Sequence, residues 1–315
     1  MMKKFIAGIF LLIACMNSSF GFSNQDIPNE FMITEHWISW TTSFDIKTKT
    51  KKLGTLYRKF LSFLLTYEFF DPFDNKLATA TSRFFSFTAR FDVYDQDGLF
   101  LGFAEERLFT FFPTFSIYAN DASTLLARAE MNFWGTRFTI YDPVTKQKIA
   151  EMNRSFLRLK NNWSVHITNR PLFLQKNIDP KLLMTVLAFQ GDRENWESQN
   201  SSMMKSINTL EVTSKSTHRE CTLLLEKVAA VIEQQGFGDI KQPEQALLES
   251  LINELDEGYK SEHTSDNFNE TSQEKIRDFT NYCLDLVQSN TLSDSKKKSI
   301  LFLLKIRLNE GAMLI

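Results

Sequence analysis

The chain has 315 residues, 43% of them hydrophobic, a net charge of −2 and 30 phenylalanines. That length allows one large domain or two ordinary ones with a sizeable core. The near-zero charge gives no electrostatic argument for nucleic acid or an acidic substrate, so any such contact needs a local patch.

Lys3 and Lys4 precede an apolar run, Phe5 to Met16, and then Asn17, Ser18, Ser19, Phe20 and Gly21. This is the pattern of a signal peptide over residues 1–21, and the run falls short of the roughly 20 residues a permanent span needs. Two processing routes fit. Ser19-Phe20-Gly21 suits a general signal peptidase, whereas Leu12-Ile13-Ala14-Cys15 resembles a lipobox that leaves a lipidated Cys15. Both imply export, to the periplasm or outside, with attachment through Cys15 as the alternative. Cleavage after Gly21 leaves Cys221 and Cys283, which either bridge in an oxidising compartment or pack as free thiols in apolar helical patterns.

The first local charge feature is Lys47, Lys49, Lys51 and Lys52, with Arg58 and Lys59 shortly after. In an extended segment Lys47, Lys49 and Lys51 share one face. Such a patch can meet anionic headgroups at about 1 kcal/mol per basic side chain, or it can be a solvated turn that protects a sheet edge.

From here one pattern recurs every 23 to 25 residues: Tyr67-Glu68-Phe69-Phe70-Asp71, Phe91-Asp92-Val93-Tyr94-Asp95, Phe115-Ser116-Ile117-Tyr118-Ala119, Phe138-Thr139-Ile140-Tyr141-Asp142 and Trp163-Ser164-Val165-His166-Ile167. Each of the first four is followed by a polar turn and a second mark, Leu77-Ala78, Leu101-Gly102, Leu126-Ala127 and Ile149-Ala150. A weaker copy stands upstream at Phe44-Asp45-Ile46 and Leu53-Gly54. The unit is therefore a β-hairpin, with turns rich in Asp, Asn, Pro and Gly. Period-two alternation puts Phe91 and Val93, Phe115 and Ile117, Phe138 and Ile140, and Trp163 and Val165 on the core face. The outer face ends in rings at Phe70, Tyr94, Tyr118, Tyr141 and His166, either a ladder of cross-strand pairs at the hairpin ends or an exposed binding strip. A meander of five or six hairpins avoids exposed edges by closing.

A barrel that wide needs filling, and Asp179-Pro180-Lys181-Leu182-Leu183-Met184-Thr185-Val186-Leu187-Ala188-Phe189 supplies a plug helix over 180–190. Asp179 reads as its N-cap and Pro180 as its first residue, and the run is apolar on nearly all sides. These residues resemble the tubby C-terminal, phospholipid scramblase and LURP-one-related proteins, barrels of hairpins threaded by one hydrophobic helix. The resemblance covers roughly residues 36–196 and rests on Tyr94-Asp95-Gln96-Asp97-Gly98, Tyr141-Asp142-Pro143 and the helix before Gly191-Asp192. It implies contact with lipid, since tubby-like domains bind phosphoinositides and scramblases act at membranes; the acidic calcium segment of scramblases has no counterpart here.

After Trp196 the composition changes, and residues 197–205 read as a linker to an all-α domain over 206–315. Its apolar stripes are Cys221, Leu225, Val228 and Ile232; then Leu247, Leu251 and Leu255 in a helix opened by Pro243 and ended at Gly258; then Ile276, Phe279, Cys283 and Leu286 after a capping box at Thr271 and Glu274; and last Ile300, Leu304 and Leu308. The expected fold is α+β: a closed antiparallel β-barrel of repeated hairpins around a central hydrophobic helix, followed by an all-α helical domain.

No catalytic set, metal site or cofactor is expected. His36, His166, His218 and His263 are scattered, no P-loop, dinucleotide fingerprint or G-x-S-x-G elbow occurs, and Asp95 and Asp97 lack the later oxygens of a calcium loop. Three roles are left: a non-enzymatic exported module that binds an anionic lipid surface, a scaffold that takes a protein partner through 206–315, and an enzyme with an unrecognised site.

Overall fold

The computed structural model describes residues 24–36, 42–59, 64–83, 88–107, 112–156, 162–204, 208–262 and 272–313. The expected signal peptide with Cys15, Thr271 of the expected capping box, and His263 lie outside them. Strands β1 (Glu30–Glu35), β2 (Ser43–Lys47), β3 (Lys52–Arg58), β4 (Thr66–Phe70), β5 (Lys76–Ser82), β6 (Arg90–Asp95), β7 (Phe100–Glu106), β8 (Thr114–Tyr118), β9 (Leu125–Met131), β10 (Arg137–Tyr141), β11 (Lys148–Arg154) and β12 (Trp163–Ile167) each pair with their chain neighbours. The ring closes as an antiparallel barrel where β1 meets β12, Phe31 opposite Val165. β1 lies before the boundary expected at residue 36, so the closing strand extends the barrel upstream.

The repeat encodes the space inside. In each hairpin a bulky inward residue of the first strand faces a small one on the second: Ile46 and Gly54, Phe69 and Ala78, Val93 and Gly102, Ile117 and Ala127, Ile140 and Ala150. Large against small leaves a lumen wide enough for a helix and no wider. At Gly102 the fit is closest. Its φ is +139°, and a Cβ there would lie 2.3 Å from the Tyr118 carbonyl oxygen, with Leu182 of the central helix 3.4 Å away.

The turn after the first strand of each hairpin (β2, β4, β6, β8 and β10) is also built alike. Asp71, Asp95, Asp121 and Asp142 accept backbone N–H bonds from residues two to four ahead, and Thr48 does the same in the first hairpin. Asp74, Gly98, Ala122 and Lys146, spaced 24 residues apart, take the left-handed conformation that reverses the chain. Asp95 thus caps a turn, and the bonds it accepts from Asp97 and Leu99 are those of a reversal. A bulge ends each first strand, turning Phe70, Tyr94, Tyr118 and Tyr141 outward. The rings then pair on the outer wall: Tyr57 with Phe70, Tyr94 with Phe100, and Phe103 stacked on Tyr118 at 4.4 Å. His166 instead meets Glu30 at 3.3 Å.

After β12 a short helix α1 (Arg170–Gln175), capped by Asn169, leads to α2 (Pro180–Met204). Asp179 caps α2 through the Lys181 N–H, and Leu182 to Phe189 are buried inside the barrel, where Phe189 meets Phe91 and Phe115. The single hydroxyl in this run, on Thr185, is satisfied by the Lys181 carbonyl at 2.7 Å. α2 does not stop near 190. It runs through Gly191 to Met204, so most of the expected linker is helix.

The helical domain holds α3 (Asn208–Gln234), α4 (Gln245–Glu262), α5 (Ser272–Gln288) and α6 (Asp294–Met313). α4 starts two residues after Pro243 and continues past Gly258. Cys221, Leu224, Val228, Leu251, Leu255, Ile276, Phe279, Ile300, Leu304 and Leu308 share its core. Two further members, Phe133 and Trp134, come from the β9–β10 connection of the barrel. Phe133 stacks on Phe279 at 4.7 Å and Trp134 meets the same ring edge-on at 5.5 Å. Around this anchor Asn132 donates to Asp256, Arg137 reaches Asn253 and Asp256, and Arg307 donates to the Phe133 carbonyl. Burial raises the Asp256 carboxyl above its usual range, opposed by the Asn132 hydrogen bond and Arg137.

Candidate functional site

The barrel has two unlike ends. One, the bundle rim, carries the connections between hairpins and receives the helical domain. The other, the turn rim, carries the five Asp- or Thr-capped turns and α1.

The six basic candidates divide between these ends. Lys47, Lys49, Lys51 and Lys52 stand on the turn rim; Arg58 and Lys59 are at the far end of β3, about 20 Å away along the strand. The segment is a reversal and not an extended strand: Thr48 N–H bonds the Lys51 carbonyl at 2.8 Å, and Lys47 is placed opposite Lys52. Lys49 and Lys51 form the exposed tip. Lys52 is paired with Asp45 at 2.8 Å, which His36 also approaches at 2.9 Å. Burial raises the Asp45 carboxyl, but these two partners outweigh it and hold it below its usual value.

Arg58 is tied into the fold. Its guanidinium meets Asp192 of α2 at 2.9 Å, and the same carboxylate accepts from Thr42 at 3.0 Å and from the Tyr67 hydroxyl at 2.8 Å. Burial, and then Asp192, push the Tyr67 hydroxyl well above its ordinary value. This cluster fixes α2 where it leaves the barrel, beside a second pair, Arg193 and Glu106 at 2.6 Å. The helix expected to end before Gly191-Asp192 instead continues through them, with Asp192 held by Arg58 of β3 and Tyr67 of β4.

Apolar side chains complete the turn rim. Phe73, Leu99 and Val144, at the tips of three separate turns, are 75%, 64% and 80% exposed, and Leu174 of α1 is exposed beside them. In sequence Phe73, Leu99 and Val144 each read as a lone apolar residue in a turn, and Leu174 as one on a short helix; the strand order brings all four to one rim.

Of the two readings of the cysteines, the structure has the free thiols. Cys221 on α3 and Cys283 on α5 are free buried thiols packed in the bundle core. Burial pushes the Cys221 thiol up to about 11 and Cys283 well above its usual value. Among the described residues no three His, Cys, Asp or Glu side chains stand together to hold a metal, and no helix is long and apolar enough to cross a membrane.

A twelve-stranded hairpin barrel closed on its own hydrophobic helix is the architecture of a tubby-like barrel. The model of the LURP-one-related family matches residues 29–189, just over half of the chain, and the protein belongs to that family. No curated protein matches the chain. A solved structure of a protein from Arabidopsis thaliana is similar over 53% of this chain and 93% of its own, at 12% identity and a TM-score of 0.38.

Proposed function

We propose that the protein is a non-catalytic, exported binding module whose barrel docks on an anionic phospholipid surface through its turn rim. The observation that supports it best is the β2–β3 tip, where Lys49 and Lys51 are exposed on the edge that faces away from the helical domain. Two lysines near an anionic surface contribute about 2 kcal/mol together, enough to shift partitioning by roughly thirtyfold at low salt and to lose most of that as salt screens them. Among the described residues the buried polar clusters hold structure: Asp192 fixes the central helix and Asp256 the domain contact, and neither presents a nucleophile with a base beside it.

The test is vesicle co-sedimentation of protein from Phe22 onward, which contains every described residue, on phosphatidylcholine and mixed phosphatidylcholine–phosphatidylserine vesicles over a salt series. Binding confined to the anionic vesicles and falling with salt is expected. Equal binding to both, or none at low salt, would sink the proposal and direct attention to protein partners of 206–315.

A further inference from the structure

Among the described residues the three most exposed large apolar side chains of the barrel, Phe73, Leu99 and Val144, all crown turns of one rim, and the order of strands relates them to the lysines. Going round the barrel, Val144 on the β10–β11 turn comes first, then Leu174 on α1, which packs beside β11, then the Lys49 and Lys51 tip, then Phe73 on the β4–β5 turn. The exposed Asp97 and Asp121 occupy the next two turns, on the other side of the ring, with Leu99; Asp74 stands beside Phe73. The lysine tip is thus flanked by apolar tips, with the exposed carboxylates Asp26, Glu30 and Asp74 in the same arc, while Asp97 and Asp121 stand opposite.

We propose that the barrel sits tilted on the bilayer, sinking Phe73, Val144 and Leu174 into the acyl boundary on either side of the lysine tip while Asp97 and Asp121 are lifted clear. This rests on the membrane-docking reading above and assigns it a second, salt-resistant contact. A bilayer fits these residues better than a folded partner does. A protein interface core wants one contiguous packed patch, whereas these tips are separated by polar turn residues, and a fluid acyl layer takes apolar side chains one at a time. The half-exposed ring behind the Phe73 tip, Phe70, suits the headgroup level, where aromatic side chains collect. The chain also enters the fold here. Arg170 holds the carbonyls of Asn24, Gln25 and Ile27, and Asn24 bonds Asn177 at 2.7 Å. The sequence just upstream of Asn24 holds Cys15 and the apolar run Phe5 to Met16.

The test labels Phe73→Cys, Val144→Cys and, as a control in the bundle, the exposed Leu223→Cys with an environment-sensitive fluorophore in protein from Phe22 onward; the native thiols Cys221 and Cys283 are buried. On mixed phosphatidylcholine–phosphatidylserine vesicles carrying nitroxide on the acyl chains, quenching is expected at 73 and 144 and not at 223. Residual binding at about 1 M salt, where charges are screened beyond roughly 3 Å, should fall about tenfold for each tip changed to serine. Salt-sensitive vesicle binding without quenching at 73 and 144 would overturn insertion and leave the docking reading standing; no vesicle binding at all would remove both. A dimer in solution that Phe73→Ser and Val144→Ser convert to monomer would show that the tips cover one another and would also overturn it.

Discussion

Arg58 separates a structural cation from the docking ones. Replacing it with glutamine removes the charge that faces Asp192, whose side chain is 1% exposed while that of Arg58 is 25% exposed. Breaking a buried pair by deleting one partner costs about 3–5 kcal/mol. Here Thr42 and Tyr67 still donate to the stranded carboxylate and the arginine is partly wet, so the low side, about 2–3 kcal/mol, is expected for Arg58→Gln. Asp192→Asn keeps an acceptor for Tyr67 or Thr42 and should cost less, and the double variant should be less damaged than the two single losses added together. Urea unfolding read through tryptophan emission measures all three. Vesicle binding of Arg58→Gln, measured where it is still folded, should match the parent. An unchanged unfolding midpoint, or a loss of vesicle binding without a loss of stability, would refute the placement of Arg58 inside the fold.

Gly102→Ala should cost about 3 kcal/mol or more, because its Cβ would strike a backbone oxygen at a φ that alanine avoids; Gly98→Ala, with nothing within 4 Å, should cost only about 1–2 kcal/mol. Unfolding midpoints of the two variants compare them directly. Asp142 is held low: burial raises its carboxyl, but the Lys176 ammonium 2.7 Å away, the Thr145 hydroxyl and two backbone N–H groups pull it well below the usual range. A depressed folded value means the stabilisation is present above the unfolded value near about 3.9 and is lost as pH falls below it. The acid limb of the stability curve should therefore be flatter in Asp142→Asn than in the parent. A thiol reagent at mildly alkaline pH should leave Cys221 and Cys283 unmodified until the protein is unfolded in denaturant.

Much of the barrel was legible because its signal is repeated. One hairpin would have been ambiguous, but five copies of a bulky strand followed by Leu or Ile and then Ala or Gly fix both the strand type and the small residues that face the helix. The plug was legible because an all-round apolar helix has to be buried. β1 was not, since it stands outside the repeat and acquires its role by pairing with β12, far along the chain. The length of α2 was missed for a similar reason: Asp192 is an ordinary polar residue until Arg58 and Tyr67 fold against it. Sequence proximity likewise merged Arg58 and Lys59 with the lysine tip, although a strand carries them to opposite rims. The Phe133-Trp134 anchor left no local mark at all, because a short aromatic turn reveals its partner only when the bundle closes around it.

The most direct measurement of the docking account compares Lys49→Gln/Lys51→Gln on the turn rim with Lys59→Gln on the bundle rim in the same anionic-vesicle co-sedimentation at low salt. The rim pair should lose binding by roughly thirtyfold while Lys59→Gln binds like the parent. Equal losses in both variants, or none in either, would contradict docking through the turn rim.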